Sequence, residues 1–198
     1  MLKKIIREEN YLPIVIRKMK EDLVKEIELS ENVTANLEGN ILKIKGPQGE
    51  VQREFLHPKM NINVQGNKVV LKVIKGTKRE KTILGSFQSH IRNMVSGVQE
   101  NHQYKLKICS GHFPMNVSVS GQELIIKNFL GESVPRKINL LSGADVKVNG
   151  DEIIVTSADK ELAGQMASRI EKACKITQRD RRIFQDGCYI TEKSGKSI

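Results

Sequence analysis

The chain has 198 residues, of which 38% are hydrophobic, 28% are charged and only 4% are aromatic, with no Trp. This composition supports one large or two small folded domains and argues against an aromatic stacking platform for single-stranded nucleic acid. The formal net charge of +10 predicts a polyanionic partner. Nucleic acid is favoured, an anionic membrane surface is the competitor, and plain solubilising charge is the third interpretation.

The first 22 residues are predicted to be an N-terminal extension. Their longest apolar run, residues 12–16, is too short to span a bilayer or to form a signal-peptide core. A helix that begins at Pro13 is one interpretation, and we expect the extension to become ordered only on an assembled partner. The stretch that follows, residues 23–29, alternates like a strand.

A Gly-Pro-Gln-Gly sequence at residues 46–49 has two interpretations, a phosphate-binding loop or a turn. A Walker-type loop requires a Lys-Ser/Thr step that leads into a helix, and neither follows here. Alternating runs lie on both sides, so the pattern predicts a β-hairpin in which Gly49 takes a positive φ.

The chain contains an internal repeat with an offset of 84 residues. VQGNKVVL at 64–71 aligns with VNGDEIIV at 148–155, and a helical pattern follows each copy. For the second helix, Ser157 is the predicted N-cap. We therefore predict an α+β fold with two tandem duplicated domains, each a small, mostly antiparallel sheet with one covering helix. The predicted domains are 23–99 and 100–180, followed by a basic C-terminal segment, 181–198.

Basic residues are concentrated in two stretches. Residues 43–81 contain ten Lys or Arg against three acids, with the densest part, KGTKREK at 75–81, expected as a loop ahead of the first helix. After the second helix, TQRDRRIF at 177–184 packs three arginines into four positions. Arginine matches phosphate geometry better than lysine, so both stretches favour RNA read through its backbone and shape.

Catalytic and metal sites find little support in the sequence. The four histidines lack metal-ligand spacing, and the three cysteines include no C-x-x-C pair, which favours reduced thiols in a cytosolic protein. Cys109 and His112 are close in sequence, but a Cys-His nucleophile needs an orienting third group. We expect no enzymatic activity, no catalytic residue, no metal and no cofactor.

Five motifs together resemble one known family. They are IKGPQGEVQREF, GSFQSHIRNMVSGV, YKLKICSGHFPMNV, IIKNFLGE and RRIFQDGCYITEK. The chain resembles the universal large-subunit ribosomal protein family called protein six in bacteria and protein nine in the eukaryotic cytosol. The likeness runs from about Leu23 to Lys193, and GHFPMNV and FQDGCYI resemble its archaeal and eukaryotic branch. Two features depart from the family: residues 1–22 extend beyond its usual start, and Cys188 occupies a usually aliphatic position.

The resemblance implies a duplicated α+β fold and a structural role in the large ribosomal subunit in the cytoplasm. It also implies rRNA binding near the sarcin–ricin loop and the stalk base, with stalk-base and other ribosomal proteins as neighbours, translational GTPases nearby and no membrane. Two alternatives stay open, a free RNA-binding regulatory protein and an enzyme that acts on RNA or nucleotides. The candidate rRNA-binding residues are Lys105, Lys107, Lys127, Arg136, Lys137, Arg179, Arg181, Arg182 and Lys193, with Lys78 and Arg79 from the basic stretch.

Overall fold

A computed structural model describes residues 20–198 and shows an α+β fold made of two similar units. The first unit contains β1 (Glu21–Glu28), β2 (Thr34–Glu38), β3 (Ile41–Gly46), β4 (Gly49–Glu54), β5 (Met60–Gln65), β6 (Lys68–Gly76) and α1 (Lys78–Gln99). The second unit contains β7 (His102–Cys109), β8 (Asn116–Ser120), β9 (Glu123–Lys127), β10 (Arg136–Asn139), β11 (Asp145–Asn149), β12 (Glu152–Ser157), α2 (Lys160–Ala173), β13 (Gly187–Lys193) and β14 (Lys196–Ser197). The proposed extension lies largely outside the described residues.

The two units share one strand arrangement, which confirms the predicted duplication. In the first, β1–β6–β5 and β2–β3–β4 form two antiparallel three-stranded sheets. In the second, β7–β12–β11 and β8–β9–β10 repeat that pairing. The aligned turns also match, because Gly66 and Gly150 both have φ of 58°. That left-handed conformation favours glycine, which explains its recurrence.

Each unit buries its own core under one helix. In α1, Leu84, Ile91 and Val98 recur on one face and are almost completely buried against the first sheets. In α2, Met166 and Ile170 have no exposed surface and belong to the second core. Burying each such side chain stabilises the fold by roughly 1.5–3 kcal/mol. The covering helix therefore holds each small sheet together, as the helical patterns predicted.

The start of α1 differs from the prediction. Residues 75–81 were expected as a loop, but the helix begins at Lys78, so Lys78, Arg79 and Lys81 are helical. Thr77 is the N-cap, and its backbone N–H donates to the Glu80 carboxylate at 2.8 Å. The Thr-x-x-Glu pattern is a capping box, a helix-start signal that the prediction overlooked.

The predicted N-cap of α2 is also wrong by two residues. Asp159 caps the helix, because its carboxylate accepts a hydrogen bond from Glu161 N at 2.8 Å. Ser157 ends β12 instead, where its hydroxyl donates to the Gly143 carbonyl at 2.7 Å. The Ser157 oxygen also accepts from Asp159 N at 3.1 Å, so it supports the cap residue and does not reach the helical N–H groups itself.

The Gly-Pro-Gln-Gly stretch is a hairpin turn between β3 and β4, as predicted, and Gly49 has φ of 139°. The turn lies against the end of α1, where Gln48 N donates to the Val98 carbonyl at 2.9 Å. A Cβ atom at Gly46 would stand 2.8 Å from that same oxygen. The first glycine therefore permits close approach to the helix end, and the second permits the turn.

The units contact each other through α1. Gly97 lies so close to the Ala158 carbonyl that a Cβ atom there would come within 1.9 Å of its oxygen. Beside this contact, the buried His102 ring lies 2.9 Å from the Asn93 carbonyl through Nε2. Arg53 and Glu161 form an ion pair at 2.6 Å across the same boundary.

The chain after α2 returns to the second sheet. Strand β13 pairs antiparallel with β7, so that the larger sheet has the order β11–β12–β7–β13–β14. Much of the segment predicted from residue 181 onward is therefore a strand of the second unit. Within residues 20–198, neither helix is long and apolar enough to cross a membrane.

Candidate nucleic-acid interface

The arginine loop, residues 175–186, connects α2 to β13 and carries the densest arginine cluster. Ile176 is buried and fixes its start in the second core. Gln178 then turns the chain in the left-handed region with φ of 59°. The Arg179 guanidinium lies over the Phe184 ring at 4.9 Å from its centroid, a contact across the turn between these two residues.

A tight turn at Asp180 presents Arg181 and Arg182 to solvent. The Asp180 carboxylate accepts from Arg182 N at 2.9 Å, and its carbonyl accepts from Phe184 N at 2.9 Å. Arg182 also pairs with the same carboxylate at 2.7 Å, and this hydrogen bond lowers the pKa of Asp180. Arg181 is exposed and has no acidic partner within ion-pair distance in residues 20–198. Of the two neighbours, Arg181 is the one whose charge is not neutralised locally.

Two contacts anchor the far end of the loop. The buried Asp186 carboxylate accepts hydrogen bonds from the backbone N–H of Gly111 and from His112 Nδ1, the latter at 3.0 Å. The His112 ring stacks on Phe184 at 4.6 Å between centroids. The motifs around Gly111 and around Asp186, distant in sequence, therefore form one cluster that fixes where the arginines stand.

Two basic side chains that the prediction did not name lie where α2 passes into the loop. Lys172 and Lys175, at the end of α2, line a cleft of about 350 Å³ together with Arg181 and Tyr189. Tyr189 stands next to Lys107 in the register of β13 and β7. The structure therefore brings two predicted residues, Arg181 and Lys107, to one surface. The sequence signal that could have indicated them is their position at the C-terminal end of a predicted helix, where basic residues are favoured.

Several other candidate residues are engaged within the protein. Lys105 pairs with Glu192 at 2.7 Å, which raises its pKa, and Lys137 pairs with Glu123 at 3.4 Å. Lys127 and Lys193 are exposed at the ends of β9 and β13.

Arg136 is the most constrained of the candidates. Its guanidinium makes two hydrogen bonds to Glu132, donates to the Ala173 carbonyl and lies 4.1 Å from the Phe129 ring centroid. Three of its five N–H donors are thus occupied, and the bonds to Glu132 raise its pKa.

Lys78 and Arg79 lie apart from the arginine loop, in the first turn of α1. Along the helix they stand about 22 Å from Asn93, where the first unit contacts the second. Four of the ten basic residues between 43 and 81 have acidic partners, namely Lys43, Arg53, Lys59 and Lys68. Lys78 and Arg79 have no such partner in the described part of the chain, and both are exposed.

Comparison with known proteins identifies the family. The family model described as ribosomal protein L6 matches residues 29–101 and 113–187, one segment in each unit. The chain belongs to the ribosomal protein L6 family. It is 45% identical over 181 residues to the large ribosomal subunit protein uL6 of Nanoarchaeum equitans, which covers 87% of this chain and 94% of that protein. It is 42% identical over 177 residues to the protein of the same name from Methanocella arvoryzae, covering 89% and 100%.

These relatives confirm the predicted family, and both come from archaea. Membership of a ribosomal protein family also establishes the prediction that the chain is not an enzyme. A Cys109–His112 nucleophile pair would need a third group to orient the histidine, and the Asp186 carboxylate does bind the His112 ring. That carboxylate, however, anchors the arginine loop. Within residues 20–198, no group of three or more His, Cys, Asp or Glu side chains is placed to hold a metal ion.

Proposed function

We propose that the chain is a structural constituent of the large ribosomal subunit and binds rRNA mainly through its second unit. Relatives that align over nearly their whole length carry the name of a large ribosomal subunit protein. The net charge of +10 fits a polyanionic partner.

The observation that carries this proposal is the geometry of the arginine loop. Arg181 is exposed and locally unpaired, on a turn that Asp180 closes and Asp186 anchors. A guanidinium presents a planar fork of donors that matches a phosphate, so a fixed and unpaired arginine is suited to backbone contact. Because the turn is already ordered, little conformational entropy is lost on binding.

Lys78 and Arg79 supply a second proposed contact in the first unit. Cations in the first turn of a helix oppose its dipole, which favours negative charge at that end. Lys78, Arg79 and Lys81 all lie there, so they do not serve the stability of α1. An external anion such as the rRNA backbone would turn this unfavourable arrangement into a favourable one.

The remaining candidates divide by their contacts. We propose direct rRNA contact for Lys107, Lys127, Arg179, Arg181 and Lys193, together with the newly found Lys172 and Lys175. The other candidates already bind acidic partners, so we propose that they exchange part of those contacts for phosphate or position their neighbours: Lys105, Arg136, Lys137 and Arg182.

The site within the subunit rests on the family resemblance. We propose that the chain docks near the sarcin–ricin loop and the stalk base, beside stalk-base proteins and close to where translational GTPases bind, in the cytoplasm. The alternative of a free RNA-binding regulator predicts looser association, and this difference can be measured.

The test is retention on the subunit. Large subunits from the source cells would be washed in salt and sedimented, and the chain would be quantified against other large-subunit proteins by mass spectrometry. We expect stoichiometric retention after the wash. Release of the chain at salt concentrations that leave the other proteins bound would contradict a constituent role and support the regulator.

A further inference from the structure

Two buried cysteines meet where the arginine loop begins and ends. Cys174 is the C-cap of α2, and Cys188 is the second residue of β13. Their sulfur atoms lie 3.5 Å apart, and both side chains are almost completely buried. Both are free thiols, as is the partly exposed Cys109.

We propose that Cys174 and Cys188 form a disulfide-forming pair, so that a hydroperoxide can link the end of α2 to β13. The disulfide would enclose the arginine loop, because Cys174 precedes it and Cys188 follows it. The proposal goes beyond rRNA binding and stands even if that function is wrong.

The position of Cys174 allows the sulfur atoms to close the remaining gap. A disulfide needs an S–S distance of about 2.05 Å, so one side chain must move. Cys174 lies where α2 ends, and its N–H is shared between the Ile170 and Glu171 carbonyls at 3.4 and 3.2 Å. Such long shared bonds hold a helix end weakly, so Cys174 is the more adjustable partner.

The surroundings of Cys174 favour its ionised form. The contact between the two sulfur atoms, with the nearby Arg136 guanidinium, lowers the pKa of Cys174 despite its burial. The same contact and burial raise the pKa of Cys188. Cys174 is therefore the nucleophile and Cys188 the partner that reacts second.

A small oxidant has a route to the pair. The cleft lined by Lys172, Lys175 and Arg181 also has Cys174 and Cys188 in its wall. At about 350 Å³, it admits hydrogen peroxide easily.

The reaction balances with peroxide as the oxidant. The Cys174 thiolate attacks one peroxide oxygen, the O–O bond breaks, and the leaving hydroxide takes a proton to become water. The Cys188 sulfur then attacks the Cys174 sulfur of the resulting sulfenic acid. The S–O bond breaks, and the hydroxyl leaves with the Cys188 proton as a second water. Each sulfur has given up one electron, and one peroxide has accepted two.

The test uses the purified full-length chain, treated with a slight excess of hydrogen peroxide and then alkylated under denaturing conditions. We expect one alkylated cysteine instead of three, a proteolytic fragment that joins Cys174 to Cys188, and reversal by dithiothreitol. Closing a loop of this length should also raise the Tm by roughly 5–10 °C. Cys109→Ser should form the same linkage and show the same rise in Tm, with no alkylated cysteine left after treatment.

Cys188→Val provides the matched control, because it keeps an apolar side chain at the buried position. Under reducing conditions, we expect this variant to melt cooperatively near the unaltered chain, and peroxide should not raise its Tm. Any of three results in the treated unaltered chain would overturn the proposal. They are three alkylated cysteines, a linkage that involves Cys109, and irreversible oxidation of Cys174.

Discussion

His112 Nδ1 donates to the buried Asp186 carboxylate at 3.0 Å, although 74 residues separate the two side chains. This contact joins the loop after β7 to the end of the arginine loop, and Phe184 stacks on the same ring. The position of the arginines therefore depends on the loop after β7, which comes near the start of the second unit's sequence.

The first prediction concerns this anchor. Asp186→Ala leaves the Gly111 N–H and the His112 ring without their acceptor inside the protein. Gly111 and His112 are themselves exposed, so the loss is that of two hydrogen bonds, and we expect the free energy of unfolding to fall by about 1–3 kcal/mol. Hydrogen exchange should accelerate in residues 180–186. Asp145→Ala removes an exposed carboxylate from β11 and should change stability by less than about 0.5 kcal/mol. Equal effects of the two substitutions would show that Asp186 anchors nothing.

The second prediction separates RNA binding from folding. Arg181 is exposed and locally unpaired, so Arg181→Ala should change the free energy of unfolding by less than about 0.5 kcal/mol. It should weaken binding to an rRNA fragment and make the slope of log K against log salt shallower by about 1. For the unaltered chain, about five engaged phosphates would give a slope near −4.

Lys68→Ala is the control for that measurement, because Lys68 already pairs with Glu26 and Glu28. It should leave both affinity and slope nearly unchanged. A slope near zero for the unaltered chain, or equal losses in the Arg181 and Lys68 variants, would count against the electrostatic account.

The third prediction concerns acid stability. Hydrogen bonds from Thr77 lower the pKa of Glu80 from 4.5 to about 2. A carboxyl whose folded-state pKa is depressed stabilises the fold above its unfolded-state pKa and loses that effect as the pH falls towards the folded-state value. Glu80→Gln should therefore be less stable than the unaltered chain at pH 7, and the difference should shrink between about pH 4.5 and pH 2. Thermal melts over that range measure it, with the exposed Glu31→Gln as control. A difference that is constant with pH would contradict the capping role.

The fourth prediction compares two glycines of α1. Gly97→Ala would drive a methyl group into the Ala158 carbonyl at the contact between the units, whereas the site of Gly85 is open. We expect Gly97→Ala to lower the free energy of unfolding by about 1–3 kcal/mol or more, as overpacking does. Gly85→Ala should instead raise it by about 0.5–1 kcal/mol through helix propensity. Denaturant titration distinguishes the two, and stabilisation by both would mean that the units do not pack as described.

Local patterns made the repeat visible from the sequence alone. Short-range rules govern glycine turns such as Gly66 and Gly150. They also govern the spacing of apolar helix positions such as Ile91 and Ile170. The errors at the helix starts were also local, since the capping signal at Thr77 was overlooked and Ser157 was chosen in place of Asp159.

The arrangement of the candidate site could not be read in the same way. The sequence shows that Arg179, Arg181 and Arg182 are clustered. It does not show that Arg182 pairs with Asp180 while Arg181 does not, because that difference depends on the turn at Asp180. The contacts of Asp186 with His112 and of Cys174 with Cys188 join distant positions by single side chains. Such contacts leave no periodic trace in a sequence.

Photochemical cross-linking of intact large subunits tests the central claim most directly. Ultraviolet light would join rRNA to the residues that touch it, and mass spectrometry of the digested subunits would locate the attached nucleotides on the chain. The account predicts that peptides spanning residues 175–189, with the arginine loop and Tyr189, carry nucleotides. The contrary result is a chain that is present in the subunits and cross-linked elsewhere, with these peptides recovered unmodified. That result would show that the arginine loop is not the rRNA-binding surface.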